Sequence, residues 1–166
     1  MDANPLPENH IHHNDRAGPR LVLFQPDIPG NTGTILRLAA CLDLTVDIVG
    51  PAGFRLDDRS LRRAGMDYLE RASMKMHEDW RAFEEWRQMH QRRLIVLTTK
   101  AEKSYTDFAY RPDDCLLFGR ESSGVPDFVH TAADSRLTIA MARSGRSLNL
   151  AMSVAMVAGE ALRQVS

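Results

Sequence analysis

An α/β fold, a mostly parallel sheet flanked by helices, follows from three features of the chain. A strand, a helix and a second strand succeed one another within residues 20–49. Such a βαβ unit implies a parallel pair joined by a right-handed crossover. Two more short apolar runs, within residues 93–99 and 115–118, have the continuous character of buried strands. Helical segments of suitable length lie between and after them.

The elements follow in order. Residues 1–19 hold Pro5, Pro7, Gly18 and Pro19 among polar residues and the histidines His10, His12 and His13. They read as a flexible N-terminal tail, and residues 20–166 as one domain. Residues 20–25 predict the first strand, stopped by Pro26. A loop, Pro26-Asp27-Ile28-Pro29-Gly30, precedes a helix through Leu42, with Asn31 or Thr32 as its N-cap. Residues 45–49 predict the second strand, closed by Gly50-Pro51. A short charged helix over residues 56–64 carries Arg59, Arg62 and Arg63. Another helix over residues 79–91 sets Trp80, Phe83 and Trp86 on one face as core anchors. Strands follow at residues 93–99, 115–118 and 136–140, and a last helix starts near Ser147.

That last helix is apolar on every side, from Leu148 and Leu150 through Val154, Met156 and Val157 to Leu162. A helix apolar all round is buried all round. Either it is internal to the monomer, or a second subunit covers it; the terminal position favours a twofold homodimer through this helix.

The bulk numbers set bounds. The 166 residues are 43% hydrophobic and 26% charged, ordinary for a globular domain. A formal net charge of -1 gives no broad field for a polyanion, so any polyanion partner must be met by a local patch. Cys41 and Cys115 lie in apolar runs and read as small buried hydrophobes rather than a disulfide. No run approaches a membrane span and no secretory leader opens the chain. A cytoplasmic protein with no membrane association is expected.

Phosphate-loop, dinucleotide-binding, nucleophile-elbow and zinc signatures are absent, and no metal is expected. Three polar clusters at strand exits remain: Asn31-Thr32-Gly33 with Arg37, Gly119 to Gly124 with Glu121, and Ser144 to Asn149. Arg37 shares a half-buried helix face with Gly33 and Thr34, where an arginine needs a partner. It is either in a structural ion pair, as with Glu121, or held for a phosphate or a reacting hydroxyl. Glu121 either caps local amides or receives charge from Arg37. Ser147 fits an N-cap, and Asn149 inside the helix implies a polar pocket near its start.

Asn31-x-Gly33-x-x-x-Arg37, Phe118-Gly119-x-Glu121-x-x-Gly124-x-Pro126 and Ser147-Leu148-Asn149-Leu150 resemble the three motifs of the SPOUT-class RNA 2′-O-methyltransferases. The resemblance spans about residues 20–164. It is narrower to the small single-domain members that methylate the wobble ribose, position 34, of tRNA. It implies a C-terminal trefoil knot, S-adenosylmethionine as cofactor, tRNA as substrate and an obligate dimer. The knot comes from the resemblance alone, since folds in general avoid knots. By motif position, Leu97, Thr98, Gly119, Glu121, Ile139 and Ser147 would hold the cofactor. Arg37 would be catalytic with Asn31, Glu121 and Asn149. Arg59, Arg62, Arg63, Arg143 and Arg146 would be phosphate contacts; for the first three a solvated helix face is the competing reading. The chain departs from the family pattern at Arg120 and Ala140, where proline is frequent, and at Gly159, where tyrosine is frequent. Action on another tRNA position or ribosomal RNA, and a nonenzymatic RNA-binding module, are the alternatives. The lack of an added N-terminal RNA-binding domain favours tRNA by analogy.

Overall fold

The computed structural model describes residues 18–55, 59, 63, 72–145 and 147–166. In chain order they form β1 (Arg20–Phe24), α1 (Pro29–Leu42), β2 (Thr45–Val49), β3 (Ser73–His77), α2 (Trp80–Met89) and β4 (Arg93–Leu97). A single 3-10 turn (Tyr105–Asp107) precedes β5 (Asp114–Phe118), α3 (Asp127–Ala132), β6 (Ser135–Leu137) and α4 (Leu150–Val165). The six strands make one sheet in the order β3-β2-β1-β5-β4-β6, and every pairing is parallel. The chain thus runs outward from β1 to β3, then re-enters on the far side of β1.

Strand residues alternate between two cores, because successive side chains point to opposite faces. Leu21, Leu23, Ile48 and Leu116 pack with Ile35, Leu36 and Ala39 of α1 and with Val154, Val157, Ala158 and Ala161 of α4. Val22, Leu94, Val96, Cys115 and Leu117 face the other way, onto Phe83 of α2 and Val129 of α3. Helices cover both faces, which is why β1, β4 and β5 are continuously apolar after a charged first residue. Phe83 is fully buried, and Trp80 and Trp86 pack beside it as partly buried anchors.

The structure revises several expectations. Strand β3 was not foreseen: Ser-Met-Lys-Met-His has no apolar run, and as an edge strand it is mostly half-buried. It is secured by pairing with β2 and by His77, whose Nε2 lies 2.7 Å from Asp47 Oδ1. Asp47 also receives two bonds from Arg20, at 2.6 and 3.2 Å, so a charge inside a central strand is fully paired. Helix α3 was also unforeseen. Helix α1 starts at Pro29, whose fixed φ suits a first helical position, so neither Asn31 nor Thr32 is the N-cap. Helix α4 starts later than expected. Its N-cap is Asn149, not Ser147, with the amide oxygen accepting from Ala151 N–H at 2.9 Å. Strand β6 ends at Leu137; Thr138 adds only an isolated bridge to Ser104.

Cys41 is exposed, contrary to expectation, because it falls on the outer side of the last turn of α1; Cys115 is buried as expected. Within one chain α4 buries only one face, and Met152 and Met156 are 60% and 41% exposed. Arg37 is exposed rather than half-buried. The histidines of the tail, Arg62, Arg146 and most of the predicted helix 56–64 lie outside the described residues. No helix among the described residues is long and apolar enough to cross a membrane.

Candidate active site

A cavity of about 430 Å³ opens at the carboxyl ends of β4 and β5, where open α/β sheets place ligands. Three chain segments distant in sequence converge on it. The exit of β4 contributes Leu97 and Thr98, and the turn after β5 contributes Gly119 to Glu121. The entry to α4 contributes Ser147 to Leu150, while Ile139 and Asn31 close the remaining sides.

The turn after β5 owes its form to two glycines. Arg120 N–H donates to Gly124 O at 2.9 Å, and Gly124 N–H returns a bond to Arg120 O at 2.8 Å. A Cβ on Gly119 would stand 2.5 Å from the Gly124 carbonyl carbon, so only glycine permits this closure. Gly124 has φ +67, the left-handed region that glycine enters freely. The glycine at 119 therefore serves the backbone of its own loop.

Inside this frame a chain of polar contacts links the entry to α4, helix α1 and the turn after β5. Asn149 Nδ2 donates to Asn31 Oδ1 at 3.0 Å, and Asn31 Nδ2 donates to Glu121 Oε1 at 3.4 Å. The other oxygen of Glu121 accepts from Asp27 N–H at 3.0 Å. Asn149 thereby serves as helix cap and site residue at once. Glu121 caps a backbone amide, one of the two roles read from its position.

The Glu121 and Asp27 carboxyls are shifted in opposite directions. Burial, followed by the hydrogen bond with Asp27, pushes Glu121 above its ordinary value. The bond from Glu121 is the largest cause holding Asp27 below its own, opposed by burial and helped by Ser122 and Arg120. Two adjacent carboxyls shift apart in this way, since ionising one disfavours ionising the other. The Ser122 hydroxyl donates to Asp27 Oδ2, and Arg120 Nε lies 3.6 Å from the same oxygen.

Eight of the residues singled out in the sequence thus line one cavity: Asn31, Leu97, Thr98, Gly119, Glu121, Ile139, Ser147 and Asn149. Arg37 does not line it; it lies further along α1 from Asn31, exposed. Arg59, Arg63 and Arg143 are also exposed and outside the lining. Two participants were missed. Asp27 sits in a segment read only as a loop, and its partners are over 90 residues away. His130 lines the cavity from α3, its Nε2 3.0 Å from Thr98 Oγ1. Nothing in the local sequence marked that helix.

A cavity of this make, walled by loops at the strand ends of a parallel sheet, is where α/β proteins bind a small-molecule ligand. The chain belongs to the SpoU methylase family: residues 18–159 match the model described as the SpoU rRNA Methylase family. A tRNA (cytidine(34)-2′-O)-methyltransferase of Beijerinckia indica subsp. indica is 55% identical over 145 residues, 87% of this chain and 91% of its own. A solved structure concerned with the 2-OH methylation of C/U34 on tRNA is 38% identical, with a TM-score of 0.84, over 89% of this chain and 96% of its own. The SpoU methyltransferase AviRb from Streptomyces viridochromogenes, in complex with AdoMet, is 26% identical with a TM-score of 0.82, over 90% of this chain and 61% of its own.

Proposed function

We propose that the protein transfers a methyl group from S-adenosylmethionine to the ribose 2′-hydroxyl of the wobble nucleotide, position 34, of tRNA, a cytidine or modified uridine. The observation that carries this reading is the meeting of all three motif segments on one cavity, in a chain 55% identical to a curated enzyme of that activity.

The cavity suits the cofactor chemically. Leu97, Ile139 and Leu148 supply apolar wall for a purine, and Glu121 supplies a carboxylate acceptor for ribose hydroxyls. Thr98, Gly119 and Ser147 complete that wall. Bound there, S-adenosylmethionine supplies a methyl group already activated by its sulfonium, so no metal is required. What remains for the protein is alignment and exclusion of water. A relay of two side-chain hydrogen bonds, from Asn149 to Asn31 and from Asn31 to Glu121, fixes the carboxylate that joins the cofactor wall to α1. Arg37, on the same helix, orients the hydroxyl or the adjacent phosphate with its planar guanidinium. Arg59, Arg62, Arg63, Arg143 and Arg146 add phosphate contacts on the surrounding surface.

The functional unit in this reading is a cytoplasmic homodimer of one SPOUT domain, residues 20–166, knotted near its C-terminus. The exposed methionines of α4 support a subunit contact there. Labelled S-adenosylmethionine, total tRNA and, in parallel, ribosomal RNA, with mapping of the modified nucleotide, test the reaction. Wild-type protein should methylate position 34, and Arg37→Ala should be slower by roughly 10²-fold or more. Cofactor binding without transfer to any RNA would sink the reaction; label mapping to ribosomal RNA alone would replace the substrate.

A further inference from the structure

Arg120 stands one residue beyond Gly119, in the cavity wall beside Glu121 and Asn31. Both of its backbone polar groups are tied to Gly124, so the root of the side chain is fixed. The side chain is 34% exposed, which puts it at the rim, within reach of a polymer. Its Nε is buried without a hydrogen bond and faces Asp27 Oδ2 across 3.6 Å. Asp27 is itself anchored by the Ser122 hydroxyl and by its own N–H on Glu121. Among the described residues no partner engages the terminal nitrogens of Arg120. A guanidinium steadied along one edge by a carboxylate, with its terminal fork open, has the geometry that accepts a phosphate through two parallel bonds.

We propose that Arg120 binds a backbone phosphate of the RNA at the mouth of the cavity, with Asp27 as the carboxylate that holds its guanidinium in position. This rests on the RNA methyltransferase reading above. The chain has a net charge of -1 and no broad positive field, so individually placed cations must supply its phosphate contacts. Phosphate contacts set register rather than sequence. Arg120 lines the same cavity as Glu121 and Asn31, so a phosphate gripped here holds its neighbouring ribose at the cavity mouth.

The test compares wild-type protein, Arg120→Ala and Arg120→Lys. Fluorescently labelled tRNA is titrated by anisotropy at several salt concentrations, and S-adenosylmethionine is titrated separately by calorimetry. Arg120→Ala should bind tRNA about tenfold or more weakly. Its plot of log affinity against log salt should be shallower by roughly 0.7 to 1. Its cofactor affinity should match wild type, and Arg120→Lys should keep the wild-type slope. Unchanged tRNA affinity and slope would overturn the proposal. So would a loss confined to the cofactor, which would place the cofactor's carboxylate on Arg120, or weaker tRNA binding at an unchanged slope, which would mean a deformed turn. Wild-type protein that binds no tRNA overturns it together with the functional reading. Wild-type protein that binds tRNA with the expected Arg120 dependence, yet transfers no methyl, overturns the reaction alone.

Discussion

The surroundings of Glu121 pull its ionisation in opposite directions. Its bonds to Asp27 N–H and Asn31 favour the ionised carboxylate, whereas burial and the contact with Asp27 oppose it, and the opposition prevails. A carboxyl whose folded value is raised costs nothing below its unfolded value and costs stability as pH rises through the folded value. Asp27 has the opposite sign: its lowered value contributes stability above its unfolded value, lost as pH falls through the folded one. Glu121→Gln keeps an acceptor for Asp27 N–H and a donor for the Asp27 carboxylate, but removes the ionisation. The stability of Glu121→Gln relative to wild type should therefore improve as pH is raised from below 4.5 to neutrality. Urea denaturation at pH 4 and pH 7 measures this, and a relative stability that declines with pH contradicts it. The same variant should lose methyl transfer at neutral pH, since its amide has one acceptor oxygen in place of two and carries no charge.

At the scale of the element, the turn from Gly119 to Gly124 separates two uses of glycine. Gly119→Ala would drive a Cβ into backbone, with no flexible side chain to yield, and should cost about 1–3 kcal/mol. It should also weaken S-adenosylmethionine binding, measured by calorimetry, because the turn forms the cavity wall. Gly124→Ala meets open space and pays only for its left-handed φ, about 1 kcal/mol. Reversal of that ranking in denaturation experiments would show that the turn is looser than its two backbone bonds imply. Strands β1, β2, β4 and β5 were legible because burial on both faces leaves a continuous apolar run or a β-branched stretch closed by glycine or proline. Strand β3 was not, because an edge strand held by His77 and Asp47 advertises nothing locally. Asn149 looked out of place inside an apolar helix and proved to be its cap, so its oddity pointed to the right pocket for an incomplete reason. The motifs named most of the cavity wall, but Asp27 and His130 are members by tertiary contact alone.

For the whole molecule, α4 is the element whose composition exceeds what one chain buries. Its inner face packs on the sheet and α1, while Met152 and Met156 remain outside with Leu148 and Ile28 nearby in exposure. Under the dimeric reading, Met152→Asp combined with Met156→Asp should shift sedimentation at micromolar concentration from dimer to monomer, since a carboxylate in an apolar contact is strongly disfavoured. Wild-type protein that sediments only as monomer would remove the subunit contact from the proposed function. A control for fold integrity lies on the opposite face of the sheet: Phe83→Ala, at a fully buried ring, should cost about 3–5 kcal/mol by denaturant titration.

The unequal fate of the two cysteines makes the natural chain a ready subject for site-selective spectroscopy. Cys115 is sealed within β5 and its thiol is pushed up to about 12 by burial, so it presents almost no thiolate to an electrophile. Cys41 is exposed near the end of α1, ten residues and so about 15 Å along the helix from Asn31. A maleimide dye should therefore attach once per chain, at Cys41. Binding at the cavity could then be followed by fluorescence without engineering a label site.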